Sequence, residues 1–143
     1  MAAKSSATTV WQGDLESGAG KTKAASGAIP EVDVSWATRI DRVDGKTSPE
    51  ELLAAAHASC YSMALAHGLG EAGNPPDELT TTATVTFVPG EGVKSSELEV
   101  TGKVQGLEAA AFEEATKAAG EECPISQALA GNVDISVSAT LEG

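Results

Sequence analysis

Cations, aromatics and cysteines are all scarce in this chain. Its 143 residues hold 9 Lys and Arg against 21 Asp and Glu, a formal charge of −12. Such a charge repels phosphate backbones and anionic bilayers, and the basic residues form no cluster. Nucleic acid and membrane surfaces are therefore not expected as partners. No uninterrupted apolar run reaches the ~18 residues of a membrane span, because His57, Ser59, Ser62 and His67 break the best candidate. The opening MAAKSSATTV also lacks the apolar core of a signal peptide, so a cytoplasmic location is expected. Aromatics make up only 3% of residues, which leaves a core of small side chains. Each alanine buries little area, and a second subunit would add what is missing. The two cysteines, Cys60 and Cys123, are too few for a disulfide scaffold. In a reducing compartment such a lone pair points to redox or catalytic use.

The elements that are present read as α+β within a single domain spanning 1–143. ATTVWQGD and LESGAGKTKAAS read as a strand pair, with Gly18 and Gly20 supplying the turn. VDVSWATRI alternates Val32, Val34 and Trp36 on one face, as a third strand would. LTTTATVTFVP and SELEVTGKV form a second hairpin around Pro89–Gly92, and VDISVSATLEG closes the chain at period two. A long helix starts with Ser48 as N-cap, Pro49 at the first helical position and Glu51 three residues after the cap. It is expected to end at Gly68 or Gly70. From Leu52 to Leu65 it is apolar on almost every face, so protein should wrap it on all sides. A second helix, LEAAAFEEATKAAGEE, should turn Leu107, Ala111, Ala115 and Ala118 inward, and a short third one should start at Cys123-Pro124.

Cys60 sits deep in the apolar helix, too far from its N-terminus for the helix dipole to act. Burial raises a thiol's pKa and silences it, so a reactive Cys60 needs a cation from elsewhere. Arg39 and Arg42, the only arginines, lie just upstream. An arginine keeps its proton and can fork between a thiolate and a carboxylate. Cys123 stands at an N-cap, where free N–H groups favour a thiolate and Glu121 and Glu122 oppose it. The residues alone leave two readings level: a redox pair, or two small core hydrophobes.

TSPEELLAAAHASCYSMALA followed by CPIS resembles the OsmC/Ohr family of thiol-dependent peroxidases, its OsmC branch in particular, over nearly the whole chain. The resemblance implies an OsmC-like fold, antiparallel sheets around a buried central helix carrying Cys60, built as an intertwined homodimer. It implies reduction of organic hydroperoxides, with Cys60 as the peroxidatic and Cys123 as the resolving cysteine. Arg39, in TRID, would hold the thiolate and Glu50 would orient that arginine. No bound cofactor or metal is implied; an external dithiol, lipoyl-type in related proteins, would restore the pair. Glu50 and Cys60 are ten residues apart on one helix, ~15 Å along its axis. One guanidinium cannot easily span that, so the Glu50 serving a given Cys60 is expected from the other chain. A dry, Ala- and Leu-lined pocket would then favour alkyl hydroperoxides and slow overoxidation.

Other signals weigh less. His57 and His67 flank Cys60, but two His and two Cys at these separations follow no familiar zinc spacing, and a core or rim role suits them better. SGAGKT, residues 17–22, looks like the end of a phosphate loop but lacks the first glycine and a following helix, so a hairpin turn explains it. A non-catalytic oxidant sensor or hydrophobic-ligand module on the same fold is the alternative function. The sensor would work through a Cys60–Cys123 disulfide, whereas a binder would need none of Cys60, Cys123, Arg39 and Glu50.

Overall fold

A computed structural model describes residues 1–142, which fall into two compact units, Met1–Leu52 and the chain from Leu53 onward. The first unit holds an antiparallel sheet in the order β1 (Ala7–Gln12), β2 (Ala19–Ala24), β3 (Val32–Val34). The β1–β2 turn is built by Asp14, whose carboxylate accepts the Ser17 N–H at 2.8 Å and the Ser17 hydroxyl at 2.6 Å. Gly18 belongs to that turn, but Gly20 lies inside β2 opposite Trp11. SGAGKT therefore runs from a turn into a strand, with no helix behind it.

The strand expected through Trp36 stops at Val34. Ser35 caps a one-turn helix, α1 (Trp36–Ile40): its Oγ accepts the Thr38 N–H at 3.2 Å and Thr38 Oγ1 accepts the Ser35 N–H at 3.1 Å. This reciprocal box satisfies donors that a short helix would otherwise leave bare, and it outweighs the β-favouring alternation.

The long helix α2 (Pro49–Glu71) starts where expected, with Ser48 Oγ accepting the Glu51 N–H at 3.1 Å. It runs past Gly68 and Gly70 without breaking, because neither adopts a left-handed backbone there. It is Gly73, at φ +85°, that turns the chain, while the Asn74 N–H returns to the Leu69 carbonyl at 2.8 Å.

In the second unit β4 (Glu78–Val88), β5 (Gly92–Lys103) and β6 (Asp134–Glu142) form a sheet in chain order. β4 and β5 make the expected antiparallel hairpin, whereas β6 runs parallel to β5. The expectation of purely antiparallel sheets is corrected here. α3 (Ala109–Glu122) and α4 (Pro124–Leu129) form the crossover that a parallel pair requires. Leu98 and Val100 of β5 face a core that also holds Tyr61, Leu65 and Leu69 of α2, Phe112 and Ala119 of α3, and Cys123. The inward face of α3 is only partly the expected one: Leu107 and Ala115 pack against the core, but Phe112, Thr116 and Ala119 are the buried residues, and Ala111 and Ala118 are exposed. The Phe112 ring lies so close over Gly102 that an added Cβ would stand 2.5 Å from it, which reserves that position for glycine.

One chain does not wrap α2 on all sides, as the apolar sequence led us to expect. Ala55, Ser59 and Met63, spaced four apart, are exposed, and Met63 is 72% exposed.

Candidate active site

The two cysteines, far apart in sequence, meet in the second unit. α2 carries Cys60 toward the core, and α4 begins at Cys123, which caps it: Cys123 Sγ accepts the Ser126 N–H at 3.5 Å. Pro124 at the first helical position keeps that turn in register. Both cysteines are free thiols, Cys123 fully buried and Cys60 partly so, and Cys60 packs against the core that holds Cys123.

Their environments push them apart. Burial pushes the Cys60 thiol above its ordinary value, opposed by the Ile125 N–H. Burial also acts on Cys123, but the N–H and hydroxyl of Ser126, the Cys60 thiol and the Ile125 N–H together pull it below the ordinary value. Within one chain, then, Cys123 is the more readily ionised of the two thiols. Glu121 and Glu122 do not reverse this. The nearby Tyr61 hydroxyl, buried and donating to the Thr116 carbonyl at 2.7 Å, is pushed up to about 12 by burial, so it stays protonated.

Arg39 and Glu50 meet in the first unit. Arg39 Nε donates to the Glu50 carboxylate at 2.9 and 3.2 Å, and Nη2 lies 2.8 Å from Glu50 Oε1. This two-pronged grip holds the guanidinium plane in one orientation. Glu50 is only 6% exposed, and the Trp36 ring lies 6.0 Å from the guanidinium carbon. The Glu50 that orients Arg39 is thus its own chain's. Arg42, the other arginine, is spent on structure: it donates to the Thr38 carbonyl at 3.1 Å and the Lys46 carbonyl at 2.9 Å, and pairs with Glu51 at 3.2 Å.

Beside Arg39 the first unit opens an apolar cavity of about 330 Å³, walled by Trp11, Leu15, Val34, Trp36 and Leu52. The sequence pointed to alanines and leucines of the helix as pocket walls; the two tryptophans of the N-terminal segment were missed. A signal was available for one of them, since Trp36 stands three residues before Arg39, whereas Trp11 reaches the cavity only through the fold.

His57, expected in a core or rim role, is fully buried, whereas His67 is exposed. His57 Nδ1 lies 2.6 Å from Ser96 Oγ, and Nε2 lies 2.7 Å from Ser126 Oγ. Among the described residues no group of three or more His, Cys, Asp or Glu side chains could hold a metal ion, and no helix is long and apolar enough to cross a membrane.

A family model described as OsmC-like protein matches residues 42–138. Peroxiredoxin OsmC of Escherichia coli (strain K12) is 36% identical over 128 residues, which cover 87% of this chain and 89% of that protein. Organic hydroperoxide resistance protein OhrA of Bacillus subtilis (strain 168) is 31% identical over 116 residues, covering 78% and 82%. The crystal structure of OhrB from Bacillus subtilis superposes with a TM-score of 0.65 at 26% identity, covering 96% of this chain and 98% of that one. The family match spans well over half of the sequence, including both cysteines and Glu50, and on that basis the chain belongs to the OsmC family.

Proposed function

We propose that this protein is a thiol peroxidase that reduces organic hydroperoxides through Cys60 and Cys123. The observation that carries the reading is that two free cysteines, 63 residues apart in sequence, share one core in opposed environments. A core has no need to split two thiols in this way; a two-step redox reaction does.

In the first step the Cys60 thiolate attacks the terminal peroxide oxygen. The O–O bond breaks, an alcohol leaves and Cys60 becomes a sulfenic acid. Cys123, whose surroundings already favour the thiolate, then attacks the Cys60 sulfur. Water leaves and a Cys60–Cys123 disulfide remains, which an external dithiol reduces.

The first step needs Cys60 ionised, and its own surroundings oppose that. Arg39, held by Glu50, is the cation. Glu50 precedes Cys60 by ten residues of one helix, ~15 Å of helical rise, and Arg39 is bound to Glu50. The pair that meets a given Cys60 therefore comes from a second copy, which also covers the exposed Ala55–Ser59–Met63 face. The Trp-lined cavity beside Arg39 then receives the alkyl part of the substrate. The names of the relatives, a peroxiredoxin and organic hydroperoxide resistance proteins, support the same chemistry.

Turnover of cumene hydroperoxide with a dithiol tests this. Cys60→Ser should be inactive. Cys123→Ser should consume about one equivalent and stop at the sulfenate. Stoichiometric oxidation of the wild type without turnover would instead make the protein an oxidant sensor.

A further inference from the structure

His57 is the one buried imidazole of the second unit, and the chemistry above leaves it unused. It bridges Ser96 of β5 and Ser126 of α4 by two short hydrogen bonds. Ser126 in turn donates its N–H to Cys123 Sγ at 3.5 Å, and its hydroxyl also favours the Cys123 thiolate. The result is a line of neighbouring groups, Ser96–His57–Ser126–Cys123, that ends at the resolving sulfur. Every buried side-chain nitrogen and oxygen among the described residues has a partner, and both ring nitrogens of His57 are paired. The other titratable side chains of this core are Cys60 and Tyr61 on α2 and Cys123 before α4. Among the described residues of the second unit no carboxylate, lysine or arginine is buried. Nothing charged therefore competes for the imidazole.

We propose that His57 is a positioning residue for the resolving step: it aims the Ser126 hydroxyl at Cys123 and, through that hydroxyl, takes the proton that Cys123 releases. This rests on the two-cysteine reading above. The proton balance closes within the line. Cys123 S–H passes its proton to Ser126 Oγ as Ser126 O–H passes its own to His57 Nε2, and the Nδ1–H remains bonded to Ser96. The Cys123 thiolate then forms the S–S bond as the S–O bond of sulfenylated Cys60 breaks. The departing hydroxide takes the His57 proton back through Ser126 and leaves as water. Cys123 sulfur is oxidised, Cys60 sulfur is reduced, and no outside oxidant is needed. Burial holds the His57 pKa below its ordinary value, so the imidazole is neutral and able to accept near pH 7.

The test is a thiol titration of Cys123 in the Cys60→Ser protein, where no peroxide chemistry intervenes. Adding Ser126→Ala or His57→Gln should raise the Cys123 pKa by about one unit. The two changes together should raise it no further than either alone, and Ser126→Thr should restore it. Should His57→Gln not fold, the ring 15N shifts of His57 in the Cys60→Ser protein give the same answer. They should step as Cys123 titrates, and the step should vanish with Cys123→Ser. Unmoved or additive Cys123 pKa values, or His57 shifts blind to Cys123, would overturn the proposal. Absence of any Cys60–Cys123 disulfide after hydroperoxide treatment of the wild type would instead defeat the underlying function, a result the titration does not share.

Discussion

Removing Arg39 should deprive Cys60 of its charge, and the size of that loss can be estimated. Burial, with a smaller push from Cys123, holds the thiol above its ordinary value. A guanidinium ~4 Å from a thiolate in surroundings of effective dielectric ~20 is worth ~4 kcal/mol. That equals a downward shift of about 3 pKa units. Each unit of pKa above the working pH costs about tenfold in thiolate. The peroxide rate is a poor reporter of this change. A more basic thiolate is the better nucleophile, by ~0.4–0.5 log units per pKa unit as in thiol–disulfide exchange, which recovers nearly half of the loss on a logarithmic scale. The titration itself is the sensitive assay. With Cys123→Ser as background, thiolate ultraviolet absorbance should place the Cys60 midpoint about 3 units higher after Arg39→Ala. A midpoint that moves by less than about half a unit would refute the reasoning, since no other arginine is oriented for the task.

Three further outcomes follow from the geometry. Phe112→Ala empties the space over Gly102 in the middle of the second core and should cost ~3–5 kcal/mol in urea unfolding. His57 is buried with its pKa lowered from 6.5, so its contribution to stability is full above that value and is lost as pH falls toward the folded one. Unfolding free energy should therefore decline by up to ~1.4 kcal/mol per pH unit below 6.5, and His57→Gln should flatten that slope in denaturant melts. On the second-copy reading proposed above, Met63→Lys, which places a charge on the exposed face of α2, should shift the protein toward monomer in sedimentation, with peroxidase turnover falling in step.

Features written in adjacent residues were legible in the sequence, and those made by distant residues were not. The start of α2 was readable because Ser48, Pro49 and Glu51 are neighbours in one turn. The short helix at Cys123-Pro124 was readable for the same reason. WATRI was misread because period-two alternation of Val32, Val34 and Trp36 imitates a strand, while the Ser35–Thr38 box that overrides it involves only two hydroxyls. The inward face of α3 was only partly legible, because a run of alanines carries little directional signal and a single Phe112 decides the rotation. The parallel pairing of β6 depends on a crossover, which strand patterns do not encode. Of the site, Cys60, Cys123 and the pair of candidate arginines were legible in the residues, while the family resemblance chose Arg39 and added Glu50. The pairing of Arg39 with Glu50 and the sharing of one core by the two thiols are tertiary facts. His57 was visible one turn before Cys60, but its partners Ser96 and Ser126 lie on other elements.

Intact mass spectrometry of the reduced protein, before and after one equivalent of cumene hydroperoxide, bears on the peroxidase reading most directly. The expected result is a loss of two hydrogens per chain, mapped to a Cys60–Cys123 bridge and regained with dithiol. A mass that stays unchanged, or that gains oxygen on Cys60 without bridging while Cys123 remains a free thiol, would contradict it.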